Sequence, residues 1–249
     1  MGKLDGKVAL ITGAGQGVGE GIAHALAKEG AQLSLSGRTL AKVEETAQAV
    51  PTKAMARELD VRDEAGIQAI VDETIAEFGR IDILVNNAQM VPLGPLLKLK
   101  EENVEDGWQS GPMAALRFMR ACHQQLKEHK GNIVNLGSSS AFRWEAGGYG
   151  AYAAVKEAIR QLTRAAAHEW GPDGIRANVI LPLALSPGMK MWTEHNPEEA
   201  AAFTKTVPLG WVGDPEQDIG QAVAWLVSDE ARYLTGQSIG LDGGQARLV

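Results

Sequence analysis

A chain of 249 residues, 45% hydrophobic and 22% charged, has the composition of a folded, water-soluble protein, which excludes a disordered or fibrous one. Its formal net charge of −7 opposes nucleic-acid binding, because a phosphate backbone calls for a basic stripe that this sequence lacks. A single cysteine, Cys122, excludes an intrachain disulfide and a Cys-based metal cluster and reads as a small buried apolar residue.

The first residues, Met1-Gly2-Lys3-Leu4-Asp5, carry charge where a signal peptide needs an apolar stretch, and no run approaches the ~18 apolar residues of a membrane span. A cytoplasmic chain with no membrane partner is expected. Val8-Ala9-Leu10-Ile11 is an apolar run with no polar face, which suits a strand covered on both sides. From Val18 to Leu26 the spacing becomes helical, and Gly30 ends that helix. The alternation then repeats. Strands are predicted at Gln32–Ser36, Lys53–Leu59 and Ile81–Asn86, with helices at Leu40–Ala49 and Glu64–Phe78 between them. A long helical stretch over Glu101–Lys130 precedes a strand at Asn132–Leu136, a helix at Tyr152–Glu169 and a strand at Arg176–Leu181. A helix at Pro215–Ser228 and a strand at Gln237–Leu241 complete the pattern. Alternating strands and helices specify one α/β domain over residues 1–249, a doubly wound parallel sheet of about seven strands with helices on both faces. Leu183–Gly210 interrupts the rhythm with three prolines, two methionines and a tryptophan, and reads as a lid or binding loop.

Thr12-Gly13-Ala14-Gly15-Gln16-Gly17-Val18-Gly19 joins the first strand to the first helix, where backbone N–H groups and the positive helix end can receive a pyrophosphate. In that βαβ setting the string predicts dinucleotide binding through Gly13, Gly15, Gln16, Gly17, Val18 and Gly19. The second strand ends in Ser36-Gly37-Arg38, with no carboxylate to take a ribose 2′-OH and an arginine suited to a 2′-phosphate. NADP(H) is therefore favoured and NAD(H) stays open, since Arg38 could also stack on adenine without discriminating. Asp60-Val61 is placed to meet the adenine edge, although Asp60 could equally cap the helix that begins near Glu64.

Tyr152 and Lys156 stand one helical turn apart on the same face. A phenol is a poor base near neutrality, and a nearby cation favours its ionised form, so the pair is expected to make Tyr152 a working acid/base. The hydroxyl cluster Ser138-Ser139-Ser140 follows a strand and faces the same cleft, where it can hydrogen-bond a substrate oxygen.

With these motifs in order, the sequence resembles the short-chain dehydrogenase/reductase (SDR) family from Gly6 to Gly244. Thr12–Gly19 matches its T-G-x-x-x-G-x-G, Asn86-Asn87-Ala88 its N-N-A-G up to the last letter, and Tyr152 with Lys156 its Y-x-x-x-K. Ile175-Arg176-Ala177-Asn178 and the C-terminal Thr235-Gly236-Gln237 and Asp242-Gly243-Gly244 agree as well. The resemblance implies a Rossmann-like fold and hydride transfer between a nicotinamide and a carbonyl or alcohol. It also implies that Tyr152 is the general acid/base, that Lys156 lowers its pKa and bonds the nicotinamide ribose, and that a serine polarises the substrate oxygen. Counting from the strand selects Ser138, and counting back from Tyr152 selects Ser139; Ser138 is chosen. Asn87 and Ala88 would line the cofactor cleft, and Pro182 and Leu185, after the sixth strand, are counted with the cofactor-binding residues. A homotetramer or homodimer is implied too, paired through Glu101–Lys130 and Tyr152–Glu169.

Three positions depart from the family pattern. Gln89 stands where its N-N-A-G ends, Gly111 aligns with the asparagine that orders a proton-relay water, and Leu183 replaces the glycine of P-G. Pro112 cannot donate to the carbonyl of residue 108, so the helix is expected to bend or begin there and free that carbonyl to hold a water. Gln89, Ser138, Trp144, Tyr149 and Tyr152 are the expected substrate contacts. Met90, Met189, Met191 and Trp192 would either join them in an apolar pocket or pack on the core. The alternative to an oxidoreductase is a cofactor-binding protein with weak or no catalysis, prompted by Gly111 and Gln89.

Overall fold

The computed structural model describes residues 2–142 and 147–246. Its strands are β1 (Val8–Thr12), β2 (Gln32–Gly37), β3 (Ala54–Glu58), β4 (Ile83–Asn86), β5 (Asn132–Leu136), β6 (Arg176–Pro182) and β7 (Ser238–Leu241). All neighbours pair in parallel, in the spatial order β3-β2-β1-β4-β5-β6-β7. The order reverses at β1, between β2 and β4, and a crevice opens beyond the carboxyl ends of the strands at such a switch point. The sheet carries α1 (Gly17–Lys28), α2 (Leu40–Ala49), α3 (Glu64–Phe78), α4 (Glu101–Trp108), α5 (Ala114–His129), α6 (Gly150–Trp170), α7 (Pro187–His195), α8 (Pro197–Thr204) and α9 (Gln221–Val227).

Successive β1 side chains point to opposite faces, so one apolar run feeds two cores. Ala9 and Ile11 join the core that Ile22, Leu26 and Val223 of α1 and α9 complete. Leu10 joins the other, with Ile70, Phe118 and Ala166 of α3, α5 and α6. Cys122 is wholly buried in that second core, which pushes its thiol up to about 12 and suits the role of a small apolar residue.

Asp82, just before β4, is 1% exposed and ties the sheet together at its amino end. Its carboxylate accepts the Val8 N–H at 2.9 Å and two guanidinium bonds from Arg80 at 2.8 and 2.6 Å. Asp82→Ala leaves the Val8 donor unpaired in the core and is expected to cost about 3 kcal/mol in urea denaturation.

The long stretch predicted over Glu101–Lys130 is not one helix. Between α4 and α5 it widens into a π-helical turn, Gln109–Met113, that contains Pro112. The interruption expected at Pro112 takes the form of this wider turn, which absorbs the missing N–H, and α5 begins just after it. The predicted helix at Pro215–Ser228 likewise opens with a π-helical turn, Pro215–Gly220, before α9. The segment read as a lid or loop, Leu183–Gly210, contains α7 and α8. Ser186 starts α7 by accepting the Met189 N–H, and Pro187 follows at a position where its fixed φ suits a first turn. No described helix is long and apolar enough to cross a membrane.

Candidate active site

A cavity of about 730 Å³ lies over the carboxyl ends of the central strands. Its floor is the glycine turn, and the turn is held by neighbours rather than by itself. Asn87 donates from Nδ2 to the carbonyls of Thr12 and Gly13 at 3.0 and 2.9 Å. The Thr12 hydroxyl accepts the N–H groups of Asn87 and Ala88, both at 3.0 Å, which locks β4 against the turn. Gly13 has φ +67° and Gly17 φ +62°, a region that side chains resist. A Cβ on Gly13 would also come within 2.7 Å of Asn87 Nδ2, and one on Gly17 within 3.1 Å of Pro187. Among the described residues no side chain caps the N-terminus of α1, which leaves its first N–H groups available to a ligand. These features fit the pyrophosphate of a dinucleotide.

At the far end of the cavity Arg38 is exposed on the rim beside Thr39 and Lys42. Lys42 donates to the Gln16 side chain at 2.7 Å, bringing a second cation to the glycine turn. Asp60 lines the wall and is held by Arg62, whose Nε lies 3.1 Å from both carboxylate oxygens. Hydrogen bonding from Arg62 holds the Asp60 carboxyl below the usual range, with the nearby charge of Arg38 adding to it. Asp63, not Asp60, caps α3, by accepting the Ala65 N–H. The capping alternative for Asp60 is thus removed.

At the other end the start of α6 meets the end of β5. Lys156 is 5% exposed and donates to the Leu136 carbonyl at 2.7 Å. Its ammonium stands 5.6 Å from the centre of the Tyr152 ring, and Tyr149 meets Tyr152 edge to face at 6.2 Å. Ser138 shares a 2.7 Å hydroxyl contact with Ser140 and reaches Tyr152, whereas Ser139 is buried in a short 3₁₀ turn. Of the two serines weighed from the sequence, Ser138 is the one brought to the phenol.

The electrostatics differ from expectation. Burial raises the Tyr152 phenol, and hydrogen bonding with Ser138 only partly opposes it. Burial also lowers the Lys156 ammonium to about 7. The spacing correctly suggested that the two groups meet, but both are desolvated, and desolvation disfavours each charged form. The lysine therefore does not, in the chain by itself, make the phenol more acidic than free tyrosine.

Residues 13–246 match a family model described as enoyl-(acyl carrier protein) reductase. The 12alpha-hydroxysteroid dehydrogenase of a Clostridium species is 40% identical, with 99% of each chain covered. The 3-oxoacyl-[acyl-carrier-protein] reductase FabG of Vibrio cholerae is 33% identical over 97% of this chain and 98% of its own. Among solved structures, levodione reductase superposes with a TM-score of 0.90 at 31% identity, covering 97% of this chain and 98% of that one. The 3-ketoacyl-(acyl-carrier-protein) reductase of Brucella melitensis, complexed with NADH, gives 0.89 at 30% identity, covering 98% and 100%. The chain belongs to the short-chain dehydrogenase/reductase family.

In this short-chain dehydrogenase/reductase the cavity gathers most of the expected residues: Gly13, Gly15, Gln16, Gly17, Val18, Arg38, Asp60, Val61, Asn87, Ala88, Gln89, Tyr152, Lys156 and Pro182 all line it. Ser138 and Tyr149, expected as substrate contacts, stand beside Tyr152 but do not line it, and neither does Gly19. Gly19 is buried in α1, where a Cβ would meet the Gly13 carbonyl at 2.3 Å, so it shapes the turn from behind. Leu185 does not line the cavity either, because Leu183, Ala184 and Ser186 do so around it while its backbone bonds the Gly213 carbonyl at 2.9 Å. Trp144 lies outside the described residues. Lys42 and Ser186 escaped the sequence reading, whereas Met189, weighed there as a pocket or packing residue, lines the cavity. The Ser186-Pro187 pair is a helix-start signal that could have found Ser186.

Proposed function

We propose that this oxidoreductase interconverts a carbonyl and an alcohol, with NADP(H) preferred and Tyr152 as the group that exchanges the proton. The observation that carries the reading is that Tyr152 and Lys156 line the same cavity as the glycine turn. A nicotinamide dinucleotide held there supplies or accepts the hydride. The glycine turn and the α1 N-terminus would hold its pyrophosphate, Asp60 and Val61 its adenine end, and Asn87, Ala88 and Pro182 the nicotinamide end. Ser138 orients the substrate oxygen beside the phenol. Because burial keeps Tyr152 protonated near neutrality, the chain is poised to donate a proton to a carbonyl oxygen.

Hydroxysteroids and their ketones are the first substrate class to test, on the 40% identity to a hydroxysteroid dehydrogenase and the apolar Met90, Val91 and Met189 in the cavity wall. The experiment follows nicotinamide absorbance with a panel of oxosteroids and 3-oxoacyl thioesters while nucleotide binding is measured in parallel. Turnover on one class supports the reading; tight binding with no turnover on any supports a binding protein instead.

Arg38 is the reason for preferring NADP(H). Arg38→Ala is expected to weaken NADP⁺ binding about tenfold or more and to leave NAD⁺ nearly unaffected, in keeping with loss of a hydrogen bond to a charged group. Equal weakening of both nucleotides would identify an adenine-stacking role. The reading also includes self-association. Leu97 and Tyr233 are fully exposed and Trp211 is half exposed, apolar surface that self-association could cover.

A further inference from the structure

Gln89 and Gly111, two of the departures noted in the sequence, meet in the fold. A Cβ on Gly111 would lie 2.9 Å from Gln89 Nε2 and 3.1 Å from its Cδ. The Gln89 carboxamide therefore fills the space that any larger residue at position 111 would take. The same Cβ would lie 2.9 Å from Val155, the neighbour of Lys156 on α6. Both polar atoms of the Gln89 side chain are buried and have no hydrogen-bond partner among the described residues. Leucine or methionine would pack there without that penalty, so a buried, unsatisfied amide at this place calls for a polar role.

Next to it is a second, small cavity of about 10 Å³, lined by Gln89, Gly111, Lys156 and Asn86 among others. That is the size of a single water. The polar side chains lining it are Thr12, Asn86, Asn87, Gln89 and Lys156, of which the Gln89 amide and Asn86 Oδ1 are buried and unpartnered. They meet the requirement of two to four polar partners for a buried water. Among the described residues Lys156 is the only ionisable side chain in that wall; the larger cavity, which Lys156 also lines, has Tyr152, Arg38, Lys42 and Asp60 as its other ionisable side chains.

We propose that Gln89 is a positioning residue for Lys156, its carboxamide bonding the ammonium through this one-water cavity, and that glycine at position 111 is what admits it. The carbonyl of Trp108, expected from the sequence to hold such a water, is not among the groups around the cavity. The proposal rests on the reading of Lys156 and Tyr152 as the proton-handling pair and adds which side chain supports the lysine.

Gln89→Leu keeps the packing and removes both polar atoms. In nucleotide-free protein carrying isotope-labelled lysine, with Lys156→Met to assign the signal, the Lys156 ammonium is expected to titrate at lower pH in Gln89→Leu than in the unsubstituted chain. In turnover, Gln89→Leu is expected to lower kcat about tenfold or more and to move its pH profile in the same direction. Gln89→Gly with Gly111→Asn returns a carboxamide to the same space from the opposite wall and is expected to recover kcat to within about threefold, a non-additive result. An unchanged Lys156 titration in Gln89→Leu overturns the proposal, and so does a double variant no more active than the poorer single one. If Gly111→Asn lowers the melting temperature too far to assay, the Gln89→Leu titration decides alone. If the unsubstituted chain turns over no substrate, the functional reading fails while that titration still tests Gln89.

Discussion

Tyr152→Phe is expected to reduce turnover about 10²–10⁴-fold, the contribution usual for a positioned acid/base, while leaving nucleotide affinity close to that of the unsubstituted chain. The substitution removes one oxygen and nothing else. The ring keeps its edge contact with Tyr149 and its place 5.6 Å from the Lys156 ammonium, so the fold and the nucleotide cavity have no reason to change. Steady-state kinetics with a nucleotide titration separates the two quantities. A fall in kcat with unchanged binding is the expected outcome, and turnover equal to that of the unsubstituted chain removes Tyr152 from the proton path. Direction adds a second reading of the same residue. Burial holds the phenol protonated above its ordinary range, so carbonyl reduction should keep its rate through neutral pH and lose it only as pH rises toward the phenol's raised pKa. Alcohol oxidation needs the ionised phenol and should show the opposite dependence, gaining with pH.

What could be read from the sequence was whatever has a local physical signature. Val8–Ile11 reads as a buried strand because every residue in it is apolar, and β1 is indeed buried along its whole length. The glycine turn reads as a ligand cradle because Gly13 and Gly17 sit where side chains are resisted. Two kinds of feature stayed hidden. The nine-residue helix α7 buries none of its residues fully and offers only Met189 and Trp192 as an apolar pair at helical spacing, so its Ser186-Pro187 start is its clearest mark. The π-helical turn at Gln109–Met113 was equally illegible, since Pro112 signals interruption whether the helix breaks or widens. The second kind is long-range. Gln89 and Gly111 each read as an isolated departure, and only the fold shows that one side chain occupies the space the other leaves. Spacing likewise brought Tyr152 and Lys156 together without revealing how deeply both are buried, and burial is what reverses the expected sign at the phenol.

That burial leads to the largest stability effect expected in the molecule. Lys156→Met should abolish efficient turnover and yet make the chain more stable at pH 6. The ammonium falls from 10.5 to about 7 on folding because it is removed from water, a difference worth about 5 kcal/mol between its two protonation states. A depressed lysine means that the unfolded chain binds the proton more tightly than the folded one. Below pH 7 both states carry the charge, and the folded state bears the whole cost of burying it. Between pH 7 and 10.5 the folded state releases its proton first, so stability rises with pH; above 10.5 both are neutral and the cost is gone. Methionine has similar length and no charge. It loses only the bond to the Leu136 carbonyl, about 1 kcal/mol, which leaves a net gain of about 4 kcal/mol at low pH. For a chain of this size that corresponds to a rise in Tm of roughly 10 °C. Thermal melts of both proteins at several pH values provide the measurement. The gap between them should be widest below pH 7 and close as pH approaches 10.5. A gap that does not vary with pH would mean that Lys156 binds its proton equally tightly in the folded and unfolded chain, so that burial does not penalise the ammonium.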